Sequence, residues 1–277
     1  MNEADILVMG ATGKVGRLMR AHWAAGLRVL WQGRSPGAAP DWVTWAPGTA
    51  LPRARVVLLL SGVTSGDEAA LAMNRRIGLD VAEAAIAAGA RCILLASTMA
   101  VYGATPPEGA HEDTPPDHPG AYGAAKLDME RAMADRLRGS GTGLCALRLG
   151  NVAGADMLGT VITSGRRVML DQFADGSGPV RSYVGPGMLV RVVEALVHRI
   201  IAGEALPSAL NVAGQRPVAM ADLLAAAGVG FDWQPAGPQA VQHVAMDCAR
   251  LARLVPPVPE AETAAGLAAD WKGAMPT

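Results

Sequence analysis

An apolar run that breaks on glycines and passes straight into a helix leaves a chain few folds, and this one opens with it. Ala4 to Met9 (ADILVM) is a short, unbroken apolar stretch, the kind given by a strand buried on both faces of a parallel sheet. It ends in Gly10-Ala11-Thr12-Gly13-Lys14-Val15-Gly16. An amphipathic segment follows at about 15–25, then Gly26 and a second apolar run, Leu27 to Trp31. This order opens a dinucleotide-binding fold, in which glycines let the backbone approach a pyrophosphate at a helix N-terminus. With 33 Gly in the chain the glycine spacing alone is weak; its place behind the first strand gives it weight.

Arg34 stands where the second strand should end. An acid about twenty residues past the glycines would accept from the ribose 2′-OH of NAD, whereas an Arg suits the 2′-phosphate of NADP. Neither Asp nor Glu occurs between Met9 and Asp41, so NADP is favoured over NAD. Residues 35–53 are rich in Pro and Gly, with one short strand expected around Trp42 to Trp45. Further strands are expected at Arg55 to Leu60 (ending in Ser61-Gly62), Arg91 to Ala96 (running into Ser97-Thr98) and Gly143 to Leu149 (ending in Gly150-Asn151). Helices are expected at Asp67 to Ala88, carrying Asn74, and from Tyr122 to about Arg138. Between these lies a loop, Thr105 to Pro119, whose acids mark it as too polar for core. Strands alternating with helices predict an α/β, doubly wound parallel-sheet Rossmann fold. The alternation is lost beyond residue 152. The expected division is a dinucleotide-binding domain, 1–152, with about 183–213 packing back onto it, and a small C-terminal substrate lobe from 153–182 and 214–277.

Within the long helix, Tyr122-Gly123-Ala124-Ala125-Lys126 places a phenol and an ammonium on one face, one turn apart. A neighbouring cation favours phenolate, so such a tyrosine could act as acid or base nearer neutrality. Three Lys stand against 21 Arg in the chain, so Lys126 marks a place that wants a compact ammonium. Composition narrows the rest. A hydrophobic content of 51% with 18% charged residues is globular, and a net charge of -1 argues against nucleic-acid or membrane-surface partners. No stretch is long and apolar enough for a membrane span, and the start lacks a signal-peptide pattern. Cys92, Cys145 and Cys248 are scattered and read as buried free thiols of a reducing, cytoplasmic setting. The five His show no ligand spacing, so no metal is expected.

With these segments in place the chain resembles the extended short-chain dehydrogenases/reductases, the NAD-dependent epimerase/dehydratase group typified by nucleotide-sugar epimerases. The likeness runs nearly end to end. Gly10 to Gly16 matches the family's cofactor loop, and Asn74 falls on the Asn of its fourth-helix motif. Residues 97–103 (STMAVYG) are similar to SSxxVYG, which puts Thr98 at the catalytic Ser/Thr position. YGAAK matches YxxxK, residues 147–154 (LRLGNVAG) match LRxxNVxG, and 175–183 (DGSGPVRSY) resemble DGxxxRDY.

The resemblance implies roles. Tyr122 is the general acid/base, Lys126 bonds the nicotinamide ribose and depresses the Tyr122 pKa, and Thr98 donates to the substrate oxygen. The cofactor, NADP or NAD, is held by Gly10, Thr12, Gly13, Lys14, Val15, Gly16, Arg34, Ser61, Gly62, Asn74, Ser97, Tyr122 and Lys126. Asn151 and Arg181 hold the substrate, a small molecule such as a sugar or nucleotide sugar. A homodimer through the helices of Tyr122 and Asn74 is the family expectation. Departures bear on the reaction. Met99-Ala100 stands where dehydratases carry two acids, and residues 181–190 (RSYVGPGMLV) lack the His and both acids of RDFIHVDDLA. Three readings remain: an epimerase, an NADPH-dependent reductase of a smaller carbonyl compound, and a non-catalytic nucleotide sensor or scaffold.

Overall fold

The computed structural model describes residues 3–24 and 26–273. The first half of the chain forms β1 (Ala4–Met9), α1 (Lys14–His22), β2 (Val29–Gly33), β3 (Trp42–Thr44), β4 (Ala54–Leu59), α2 (Glu68–Ala88), β5 (Cys92–Thr98), α3 (Ala121–Leu137) and β6 (Gly143–Leu149). A 3-10 turn, Met99–Tyr102, follows β5 directly. Shorter pieces follow: β7 (Asn151–Val152), α4 (Met157–Thr163), β8 (Val168–Gln172), β9 (Val180–Arg181), β10 (Tyr183–Val184), α5 (Pro186–Ile201), β11 (Ala209–Val212), β12 (Val218–Ala219), α6 (Met220–Ala227), β13 (Phe231–Pro235), β14 (His243–Val244), α7 (Ala249–Leu254) and α8 (Ala264–Gly273).

Seven strands make one parallel sheet in the order β11-β6-β5-β4-β1-β2-β3. The chain leaves β1 in opposite directions, toward β2 on one side and β4 on the other. That is the switch point at whose carboxyl edge open α/β sheets bind ligands. Both faces of the sheet are covered, which is why the strand sequences are continuously apolar. Ile6, Val8, Leu58 and Leu94 join the core against α1 and α5. Their alternates Leu7, Leu59, Ile93 and Leu95 pack with Met129 and Met133 of α3 and Val81 and Ala85 of α2.

The second strand starts two residues later than expected, at Val29, and ends at Gly33, so Arg34 is the first residue beyond it. The β8–β13 ribbon was not anticipated: it is a parallel pairing of segments some sixty residues apart, beyond the reach of any local pattern. A third core, with Leu158, Leu170, Tyr183, Leu224 and Trp271, lies between this ribbon, α6 and α8. Asp270 of α8 ties that region to the N-terminal half of the chain: its carboxylate accepts from the Gly187 amide at 2.9 Å and its carbonyl lies 2.9 Å from His22 Nε2.

The acidic 104–119 segment departs from its expected polar, exposed character. Ala110 is fully buried and bridges to Met246, and Glu112 is buried with its Oε1 accepting the Asn211 amide at 2.9 Å. β11 is an edge strand whose outward N–H groups need acceptors, and this carboxylate supplies one. All three cysteines are free and buried. No helix among the described residues is long and apolar enough to cross a membrane. The described residues hold no group of His, Cys, Asp or Glu suited to a metal ion.

Candidate active site

At the switch point lies a cleft of about 570 Å³ whose lining includes Gly10, Thr12 and Gly13 after β1, Arg34 after β2, and Ser61 and Gly62 after β4. Gly10 has φ +91 and a Cβ on it would stand 2.7 Å from Ser61 Oγ, so the turn admits only glycine. Gly16 lies against the Gly10 carbonyl and lets α1 start close to β1. No side chain caps the N-terminus of α1, which leaves its first amides free for an anion. Trp45, Pro47, Ile77 and Val81 give the cleft an apolar stretch, with Asp80 of α2 beside them. A dinucleotide fits this donor set: open amides at one end, an apolar slot beyond, and an exposed guanidinium at Arg34.

Several residues expected in the cleft do other work. Val15 packs on the core, so only its backbone faces outward. Lys14 reaches across to α4, where Nζ donates to Thr160 Oγ1 at 2.6 Å. Asn74 is fully buried; its amide takes the Val63 N–H at 2.9 Å and gives to the Val63 and Leu71 carbonyls. It braces the Ser61–Thr64 turn from behind Gly62. Ser97 is also turned away, its hydroxyl donating to Glu130 of α3, because strand alternation sets it under the helix with Ile93 and Leu95. Gln32, not anticipated, is buried at the end of β2 and accepts the Gly10 amide at 3.1 Å.

Thr98, Tyr122 and Lys126 come together where β5, α3 and the β4–α2 turn meet. Thr98 Oγ1 accepts the Ala100 amide at 3.2 Å, and the Tyr122 phenol lies beside its hydroxyl. Lys126 is buried, and a Cβ on Gly62 would lie 3.7 Å from its Nζ, so the ammonium sits just behind the wall of the cleft. The electrostatics differ from the expectation that Lys126 depresses Tyr122. Burial pushes the Tyr122 phenol up, and the opposing pull comes from Thr98. Lys126 is itself pushed down to about 8 by burial, with Glu130 acting against the fall.

Asn151 and Arg181 line a second cavity, of about 650 Å³, with Asp156, Met157, Asp171 and Gln234 among its walls. Arg181 gives Nη1 to the carbonyls of Val180 (2.8 Å) and Gln242 (3.0 Å) and Nη2 to that of Val241 (2.7 Å). Both Nη1 hydrogens and one on Nη2 are thereby used, which leaves the Nε edge for a ligand. The Asp156 carboxyl is pushed up by burial; it caps α4 through the Gly159 amide and meets the Tyr183 hydroxyl at 3.1 Å. Thr98 is not among the residues lining this cavity, although it pairs with Leu149, two residues before Asn151, in the neighbouring strand.

Comparison with solved structures finds the same architecture in sugar-nucleotide enzymes. The UDP-Glc/GlcNAc 4-epimerase of Campylobacter jejuni superposes with a TM-score of 0.79 at 16% identity, over 97% of this chain and 98% of the epimerase. For the UDP-glucose 4-epimerase of Thermus thermophilus, in complex with NAD, the values are 0.73 and 24%, over 98% and 99%. TunA, an NAD-dependent NDP-hexosamine 5,6-dehydratase, gives 0.71 and 20%, over 96% and 97%. At these identities the likeness is one of fold. No curated protein sequence gives a significant match. The family model for the NAD dependent epimerase/dehydratase family matches residues 53–213, more than half of the chain, from β4 through the Tyr122 helix to β11. The chain belongs to the NAD dependent epimerase/dehydratase family.

Proposed function

We propose that this protein is a nicotinamide-dependent oxidoreductase or epimerase that moves hydride at a secondary alcohol or ketone carbon of a sugar or nucleotide sugar. One observation carries the reading: Thr98 and Tyr122 lie side by side, and Lys126, one turn along the same helix, has its ammonium directly behind Gly62 of the cleft that suits a dinucleotide. The nicotinamide supplies a hydride acceptor and donor. Tyr122 takes the proton of the substrate hydroxyl or returns it to the carbonyl oxygen, and Thr98 donates to that oxygen as its charge grows. Lys126, behind Gly62, is placed to reach a ribose hydroxyl at the cleft wall. The Asn151–Arg181 cavity takes the rest of the substrate, with the Nε edge of Arg181 as its cationic contact.

Cofactor choice falls on Arg34. Gln32, at the end of β2, is spent on the Gly10 amide, Asp80 of α2 is the acid that the cleft's lining includes, and the exposed guanidinium beyond β2 favours NADP. Met99 and Ala100, which can neither protonate nor abstract, weigh against dehydration. Reduction of a smaller carbonyl compound is the second reading, favoured by Arg181 having three of its five donors tied to backbone. Purified protein separates the two. Nicotinamide that stays bound through dialysis marks an epimerase; an empty site that turns over NADPH marks a reductase. Binding of dinucleotide without turnover of any hydroxyl or carbonyl substrate would leave a sensor or scaffold.

A further inference from the structure

Tyr122, Lys126 and Glu130 follow one another at intervals of four residues, so they form a single stripe along α3. The first two belong to the proposed site; Glu130 does not reach the cleft. It is buried, and a buried carboxylate is tolerated only when paired and hydrogen-bonded. Neighbouring strands supply the partners. Ser97 of β5 donates to one oxygen, and Arg148 of β6 brings Nη2 to the other at 2.9 Å, with Nε at 3.3 and 3.4 Å from the two. Arg148 Nη1 is held in turn by the Tyr102 hydroxyl at 3.1 Å and the Glu112 carbonyl at 2.8 Å. Lys126 has no such set: its Nζ meets Met129 Sδ at 3.5 Å.

We propose that Glu130 is a positioning residue for the Tyr122–Lys126 pair: its carboxylate keeps the Lys126 ammonium protonated inside the core and, through Ser97, ties the strand end that carries Thr98 to the helix that carries Tyr122. The titratable and charged groups around it are Arg148 and Cys145 from β6, Tyr102 from the 3-10 turn and Glu112 from the 104–119 segment. Only burial and Glu130 act appreciably on Lys126, and they act in opposite directions. The catalytic consequence rests on the function proposed above; the electrostatic one does not.

The test is a lysine titration in the whole protein, read by NMR after isotopic labelling of lysine. The chain has three Lys, and Lys126→Met assigns the signal. In Glu130→Gln the Lys126 signal is expected to titrate about one pH unit or more lower, a tenfold shift in its proton affinity, with Lys14 and Lys272 unmoved. Because Gln leaves Arg148 unpaired, Glu130→Gln/Arg148→Met removes both charges together; loss of the neighbouring cation offsets part of the change, so a smaller fall in the same direction is expected. An unmoved Lys126 titration in either folded variant overturns the proposal. In turnover assays Glu130→Gln should bring the alkaline loss of kcat down by the same interval with KM little changed. If the unmodified protein shows no turnover, the proposed function fails while the titration still decides the role of Glu130.

Discussion

A Cβ on Gly123 would fall on the carbonyl group of Ala100. The helix that carries Tyr122 is therefore seated directly on the 3-10 turn that follows Thr98. This contact brings the phenol beside the threonine, since Tyr122 adjoins Gly123 in sequence and Thr98 lies two residues before Ala100. Ala100 cannot retreat easily, because its amide is held by Thr98 Oγ1.

Gly123→Ala is accordingly expected to cost about 1–3 kcal/mol of stability, the usual range for overpacking, and to lower kcat by moving Tyr122 off Thr98. Thermal melts paired with kinetics check this. An unchanged Tm would mean that the turn yields and that the contact does not set the geometry.

Tyr122→Phe should lower turnover by roughly 10²–10⁴, the range for loss of a general acid/base, while dinucleotide affinity stays the same. Full activity in that variant would remove the proposed mechanism.

Arg34→Ala should weaken NADPH binding by about tenfold or more and leave NADH almost unaffected, because a guanidinium interacts strongly only with the 2′-phosphate. Isothermal titration with both cofactors decides it. If the unmodified protein binds NAD at least about ten times tighter than NADP, Arg34 does not serve that phosphate.

Stability should fall on the alkaline side. Burial raises the thiols of Cys92 and Cys248 from 9.0 to about 12, and that of Cys145 in the same direction. Unfolded thiols ionise first, so the folded chain holds more protons between about pH 9 and 12 and loses stability through that window. Lys126 works oppositely, since its folded value near 8 lies below its ordinary 10.5, but it is one proton against the three thiols and the phenols of Tyr102, Tyr122 and Tyr183, which burial also raises. Urea unfolding at a series of pH values should show the decline. Cys92→Ala should flatten the slope by about 1.4 kcal/mol per pH unit, the weight of one proton. A slope that ignores this substitution would show that Cys92 ionises alike in both states.

Much of this molecule was readable beforehand. The order of β1, the glycine turn and α1 follows from local sterics, and the reach of the apolar runs marks strands covered on both faces. The spacing of Tyr122 and Lys126 is a property of any helix. Side-chain direction was less readable. Asn74 and Ser97 sit in recognisable motifs, yet they brace the turn and the strand from behind instead of facing the cleft. Glu112 lay in a stretch too acidic to suggest core, but the unpaired amide of Asn211, 99 residues away, gave its carboxylate a buried partner.

By itself the sequence determined the parallel sheet, the place of the glycine turn at the switch point and the helix face shared by Tyr122 and Lys126, because backbone sterics and periodicity act between near neighbours. Only the tertiary structure decided that Gly123 must be small, that Arg181 has one edge left to offer, and that Lys126 is a weakened cation leaning on Glu130. Those properties depend on burial and on groups from β5, β6 and the 237–242 segment. A residue's surroundings exist only once the chain has brought distant strands together.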